Sequence, residues 1–217
     1  DQWSRLTPEQ RLQAAASTLL SAAFHRLGGG AIKRTVRFAK RHYNSVFRAD
    51  NDFYSKTRPS QSGKTEIPKA HLDEMGNLIP ANPNGRASIT EHILNINKHD
   101  SPYISTTSEQ GISKRYGKQR IQIDLDKLQE AISKGEVQAE IIGQDRIIQE
   151  LKQSLEMKKQ ELNQLIQREN YSKRRYDKLI ESIIKLENAI ENTRRDKEIL
   201  IKGIVPNRFI SGPENLN

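Results

Sequence analysis

Three short segments, far apart in the 217-residue chain, set polar side chains among apolar ones in sequence that reads as β-strand. They are Phe47-Arg48-Ala49-Asp50, Tyr103-Ile104-Ser105-Thr106-Thr107, and Asp196-Lys197-Glu198 leading into Ile199-Leu200-Ile201. A buried strand needs a reason to hold a guanidinium, adjacent hydroxyls and two carboxylates, because buried polar groups without partners are costly. A guanidinium is a rigid fork of donors for phosphate or carboxylate, where lysine supplies only a point charge. Carboxylates serve acid–base chemistry or stabilise developing positive charge. Each segment alone also has a plainer reading. Arg48 could be a surface arginine paired with Asp50, residues 105–107 an ordinary hydroxyl run, and Asp196 and Glu198 the solvated end of a helix.

The surrounding pattern predicts the elements that would carry them. Strands are expected over residues 45–49, 103–107, 120–125 and 137–142, and again from Glu198 to the proline at 206. A polar stretch punctuated by Pro59, Gly63, Pro68, Gly76, Pro80, Pro83 and Gly85 runs to about residue 100 with one short helical piece near residues 89–96. A short helix over residues 125–133 ends at Gly135. Residues 145–195 contain neither glycine nor proline, and Ile147, Ile148, Leu151, Leu155, Leu162 and Leu165 recur at helical spacing, as do Leu179, Ile180, Ile183, Leu186 and Ile190. With a weaker stretch at residues 169–172, this predicts two antiparallel helices of about 30–38 Å each. Thr7-Pro8-Glu9 opens an N-terminal helical segment, Gly28-Gly29-Gly30 reads as a linker, and Lys33, Arg34, Arg37, Lys40 and Arg41 lie on a second helical pattern. The expected division is an N-terminal helical segment over 1–43 and a domain over 44–217.

Composition narrows the chemistry. Only 34% of residues are hydrophobic and the mean hydropathy is -0.80, so part of the chain is expected to be a solvated helical extension beside a small core. With no cysteine there are no disulfides, thiolate metal sites or thiol nucleophiles. The five histidines lack metal-ligand spacing, so no metal is expected. There is no phosphate-binding GxxxxGK[ST] or GxGxxG loop. No apolar run is long enough to span a bilayer and the polar start is not expected to be a signal peptide. Lys and Arg number 36 against 27 acidic residues, a net +9 with a pI near 9.7, which favours acidic partners without choosing among them. Most of the excess lies outside the hairpin, whose residues 145–197 hold 13 basic and 10 acidic side chains.

Taken together and in order, the three segments resemble the cholera and pertussis type of mono-ADP-ribosyltransferase toxins, which have an arginine on the first strand, a Ser-Thr-Ser strand and a Glu-x-Glu or Gln-x-Glu turn. Phe47-Arg48-Ala49-Asp50 matches the opening segment. His99-Asp100, followed by Tyr103 to Ser108, matches the approach to the hydroxyl strand. Asp196-x-Glu198-Ile199 with Gly203-Ile204-Val205-Pro206 matches the catalytic turn and the strand after it. The resemblance covers roughly residues 45–128 and 196–210. Thr107 stands where the family has its second serine, and Asp196 where it has glutamate or glutamine, one methylene shorter in reach.

The resemblance implies an α+β fold in which two small sheets enclose an NAD cleft, with N-terminal helices and the hairpin inserted before the catalytic turn. It implies that Glu198 accepts a hydrogen bond from the nicotinamide ribose and stabilises the oxocarbenium-like charge formed as nicotinamide leaves. Asp196 would position or deprotonate the acceptor, Arg48 would hold the NAD pyrophosphate, and Ser105 would orient Glu198. Thr106 and Thr107 would support strand or nucleotide, and Phe47 and Tyr103 are candidates for cofactor walls. His92, near the place where related toxins can have an assisting histidine, is expected to be structural.

The expected function is transfer of ADP-ribose from NAD to a macromolecular acceptor, protein or RNA. The hairpin is expected to be a target-reading or partner-docking arm whose removal, over about 149–192, spares slow NAD hydrolysis. The same analogy implies a bacterial toxin warhead delivered as part of a larger protein, acting in the target-cell cytoplasm and neutralised by an acidic immunity protein. The alternative is a non-enzymatic coiled-coil adaptor or nucleic-acid-binding module.

Overall fold

The computed structural model describes residues 44–60, 63–168 and 171–216. The expected N-terminal helices, the triple-glycine linker and the basic segment lie outside the described residues. The described chain is α+β. Ten strands occur: β1 (Ser45–Asp50), β2 (Thr57–Pro59), β3 (Glu66–Pro68), β4 (His71–Leu72), β5 (Leu78–Ile79), β6 (Tyr103–Thr107), β7 (Gln119–Asp124), β8 (Ala139–Ile142), β9 (Glu198–Gly203) and β10 (Ile210–Asn215). Between them run the helices α1 (Ile89–Ile93), α2 (Gln110–Ser113), α3 (Leu125–Ser133), α4 (Gln144–Ile166) and α5 (Lys173–Arg195).

Six strands form one antiparallel sheet in the order β10-β7-β1-β6-β9-β8, while β2/β3 and β4/β5 are small ribbons. Its two halves meet along a thin seam. β1 pairs with β7 over six residues and β6 with β9 over five, but β1 and β6 share only the pair Phe47↔Thr107. The expectation of two small sheets thus becomes a single strand order with a one-pair seam.

The β9 run Ile199-Leu200-Ile201 shows why this sheet is covered on both faces. Alternation sends Ile199 and Ile201 into one core with Val46, Ile104, Ile121 and Leu128, and Leu200 into a second with Tyr103, Ile142, Ile147 and Leu151. Each such fully buried aliphatic side chain contributes roughly 1.5–3 kcal/mol.

The second core is completed by the hairpin. Leu186, Ala189 and Ile190 of α5 pack there beside Ile147 and Leu151 of α4, and Thr90 Oγ1 of α1 lies 2.9 Å from Ser154 Oγ of α4. This corrects the picture of a detachable arm: removing residues 149–192 would strip Leu151, Leu186, Ala189 and Ile190 from the core, so the remainder is not expected to keep a working cleft. Beyond this root the hairpin turns large apolar side chains such as Met157 and Ile184 to solvent.

Strand β10 was not anticipated, because Gly212 and Pro213 lie within it. It is an edge strand with a register shift between Ser211 and Glu214, and a proline there breaks no interior ladder.

Candidate functional site

The strand register assembles the site. Phe47 of β1 is the Cα partner of Thr107 on β6, which is in turn the partner of Glu198 on β9. The three segments singled out in the sequence therefore meet in one row at the seam. Beside it lies a cleft of about 940 Å³, lined among others by Arg48, Ser105, Asp196 and Glu198, with Asn188, Asn192 and Thr193 of α5 forming one wall.

Arg48 reaches across the seam, its Nη1 donating to the Ser105 carbonyl at 2.9 Å, with Asp50 3.7 Å from Nη2. Asp50 is also held by the buried Lys69 ammonium. Burial lowers the Arg48 pKa, opposed by the charge of Asp50. Its Nε is buried and has no hydrogen-bond partner, a donor left free at the cleft.

Glu198 begins β9 immediately after a tight turn. Asp196 caps α5 and Lys197 takes a left-handed φ of 46°, reversing the chain so that Glu198 enters the sheet beside Thr107. Burial raises the Glu198 pKa above the ordinary glutamate value and Asp196 adds to the rise. Hydrogen bonds from Ser105 and Thr193 and the charge of Arg48 pull the other way. Thr193 Oγ1 donates to Oε2 at 3.3 Å.

Ser105 belongs to a longer relay. The motif Ser88-Ile89-Thr90-Glu91 forms a capping box at the start of α1, with Glu91 N to Ser88 Oγ at 3.2 Å and Ser88 N to Glu91 Oε2 at 2.8 Å. That anchor sets His92 one residue on. Its Nδ1 lies 2.6 Å from Ser101 Oγ and its Nε2 lies 2.9 Å from Ser105 Oγ. Burial first, and then the charges of Arg48 and Lys98, lower the His92 pKa to about 3, so the ring is neutral. One proton direction satisfies every group. The Ser101 hydroxyl donates to Nδ1, Nε2–H donates to Ser105, and Ser105 donates to Glu198.

The neutral His92 makes folding pH-dependent. An unfolded chain binds a proton on this ring below pH 6.5, while the folded chain refuses it down to about 3. In that window the unfolded state holds more protons, so stability falls as pH falls, by at most about 1.4 kcal/mol per pH unit from this group. Urea unfolding at pH 7.0, 5.5 and 4.5 should show a steeper loss for the native chain than for His92→Gln. Equal slopes would refute the buried neutral histidine.

Asp196 is differently placed. Arg195 donates to it through Nε at 2.8 Å and Nη2 at 3.0 Å, and the Tyr116 hydroxyl donates to Oδ2. Burial alone would raise its pKa, but these bonds and the charges of Arg195 and Arg115 outweigh it and the carboxyl titrates below the usual range. Such a carboxylate is a weak base. Thr106 and Thr107 are also committed: Thr106 Oγ1 donates to the Ile199 carbonyl at 2.7 Å and Thr107 Oγ1 to the Asp196 carbonyl at 2.6 Å. Their hydroxyls brace β9 and the turn. Phe47 edges the cleft with the Arg120 guanidinium 5.5 Å from its ring centre, and Tyr103 is a core residue whose ring lies 5.5 Å from that of His92.

The structure thus brings Arg48, Ser105, Glu198 and the largely buried Asp196 into one lining, and gives His92 and Thr193 roles that sequence reasoning did not assign. The sequence alone gives His92 a structural role. The capping box that fixes its helix register was the available signal. Thr193 continues the buried stripe of Leu186, Ala189 and Ile190 at helical spacing, and a hydroxyl in an apolar stripe was its signal.

Among the described residues, no group of three or more His, Asp or Glu could hold a metal ion, and no helix is long and apolar enough to cross a membrane. Compared with protein-family models, curated proteins and solved structures, the chain matches none of them.

Proposed function

We propose that the cleft binds NAD and that the chain is a mono-ADP-ribosyltransferase acting on a macromolecular acceptor. The observation that carries this reading is the meeting of Arg48, Ser105 and Glu198 in one cleft of about 940 Å³, a volume in the range of ligand sites. The unpartnered Arg48 Nε suits an anionic ligand at this position, and the one-pair seam between the half-sheets supports the split-sheet reading of the fold.

In this reading Arg48 grips the diphosphate and the ionised Glu198 accepts from the ribose 2′-hydroxyl. As the bond between ribose C1′ and the pyridinium nitrogen breaks, its electron pair passes to the ring and neutral nicotinamide departs. Glu198 stabilises the positive charge left on the ribose. The acceptor's nucleophile closes on C1′ and its proton leaves to solvent. The low pKa of Asp196 makes it an orienting group at the acceptor's side of the cleft rather than the base. Delivery within a larger bacterial toxin, action in the target-cell cytoplasm and neutralisation by an acidic partner remain part of the same proposal, resting on the toxin resemblance and the net charge of +9.

The test is incubation with NAD labelled in its adenylate half and a cell lysate, followed by protease or ribonuclease digestion. Label is expected on a macromolecule, and the digestion that releases it names the acceptor's class. Absence of transfer together with absence of NAD hydrolysis would refute the proposal and favour the binding-module alternative.

A further inference from the structure

Two cations lining the cleft have no partner among the described residues. Arg58 lies on β2, and Lys98 opens the 3₁₀ turn Lys98–Asp100, which packs against β3, the partner strand of β2. Among the described residues neither side chain makes an ion pair or hydrogen bond. The four acids of the cleft are engaged elsewhere: Asp50 by Lys69 and Arg48, Asp52 by the backbone N–H groups of Tyr54 and Ser55, Asp196 by Arg195 and Tyr116, and Glu198 by Ser105 and Thr193.

The two cations line the same cleft, and their charges oppose each other. Burial first, and then the charge of Arg58, lowers the Lys98 ammonium to about 8. The charge of Arg58 also bears on Arg48. Lys98 is not a wandering surface side chain: it is half-buried, and the residue before it, Asn97, is tied through Nδ2 to Glu91 Oε1 at 2.8 Å, the same carboxylate that caps α1. Holding two like charges together with one partly desolvated is unfavourable unless an anion completes the arrangement.

We propose that Arg58 and Lys98 form a second phosphate-binding subsite, separate from Arg48. The inference rests on reading the cleft as a dinucleotide site. A planar fork and a point charge on two different elements suit a phosphoryl group approached from two sides. Two phosphates could supply it: the one of the NAD diphosphate farther from nicotinamide, or a 2′-phosphate on the adenosine ribose, as in NADP.

Calorimetric titration of the full chain, and of its Arg58→Gln, Lys98→Gln and doubly substituted variants, with NAD, NADP, nicotinamide mononucleotide and inorganic pyrophosphate tests this. The double variant is expected to bind NAD or NADP at least about 10-fold more weakly, with nicotinamide mononucleotide changed less than twofold. If NAD and NADP weaken together, the diphosphate is the source. If the native chain prefers NADP and the double variant loses that preference, the 2′-phosphate is. Pyrophosphate bound through Arg58 and Lys98 by a chain that ignores both dinucleotides would sink the NAD reading and keep the subsite. Native-like binding of NAD, NADP and pyrophosphate by the double variant would overturn the subsite and leave the NAD reading standing, and a native chain that binds none of the four would overturn both. Neither side chain has a partner among the described residues to lose, so the variants are expected to melt no lower than the native chain.

Discussion

Replacing Glu198 with Gln is expected to reduce ADP-ribose transfer about 10³-fold while leaving the protein as stable as before or more so. The first half follows from the work assigned to the carboxylate, since removing one preorganised electrostatic partner from a transition state typically costs 10²–10³-fold in rate. The second half follows from its environment. Burial raises the Glu198 pKa, so the carboxylate charge costs more to hold in the folded chain than in the unfolded chain in water. A carboxyl with a raised folded pKa weakens folding as pH rises through the window between its unfolded and folded values, and the neutral amide removes that penalty. A residue serving only structure would behave in the reverse manner, losing stability first. The measurements are label transfer from NAD and the melting temperature at pH 7; loss of both together would refute the catalytic assignment. The rate should also fall as pH drops through the raised Glu198 pKa, above the ordinary value of about 4.3. Ser105→Ala should move that limb to higher pH, because the Ser105 hydrogen bond favours the charged form.

Changing Arg48 to Lys is expected to weaken NAD binding 10- to 100-fold, about 1.4–2.7 kcal/mol, with little change in melting temperature. Lysine keeps the positive charge beside Asp50 and Glu198 but cannot span to the Ser105 carbonyl while presenting a second donor to a diphosphate. Arg48→Ala should lose binding as well, and should also destabilise the fold by about 1–3 kcal/mol, because the Ser105 carbonyl at the seam loses its donor. Calorimetric titration of NAD with each variant separates the two effects. Unchanged affinity in Arg48→Lys would mean that the guanidinium braces the seam and nothing more.

The local elements were largely legible because their signals are local. The apolar run after Glu198, the alternation of residues 120–125 and the glycine-free stretch 145–195 appear as β9, β7 and the α4/α5 pair. Sheet and helix periods are written in adjacent residues, so one chain suffices to read them. The same holds for Arg48, Ser105 and Glu198 as residue types out of place on apolar strands.

What required folded coordinates depends on pairing at a distance. Whether Phe47, Thr107 and Glu198 share one row is a matter of register across strands far apart in sequence, and no neighbouring residue encodes it. The hairpin looked like an appendage because its stripe is self-sufficient on paper. Only packing against Leu200, Tyr103 and Ile142 reveals it as half of a core and one wall of the cleft. The roles of His92, Thr193 and Tyr116 arise in the same way, from hydrogen bonds closed between elements that are remote along the chain. Composition and periodicity thus specify which segments become strands or helices and which polar groups are out of place on them. Where those groups converge, and how far their charges are shifted, depends on burial and pairing that exist only in three dimensions.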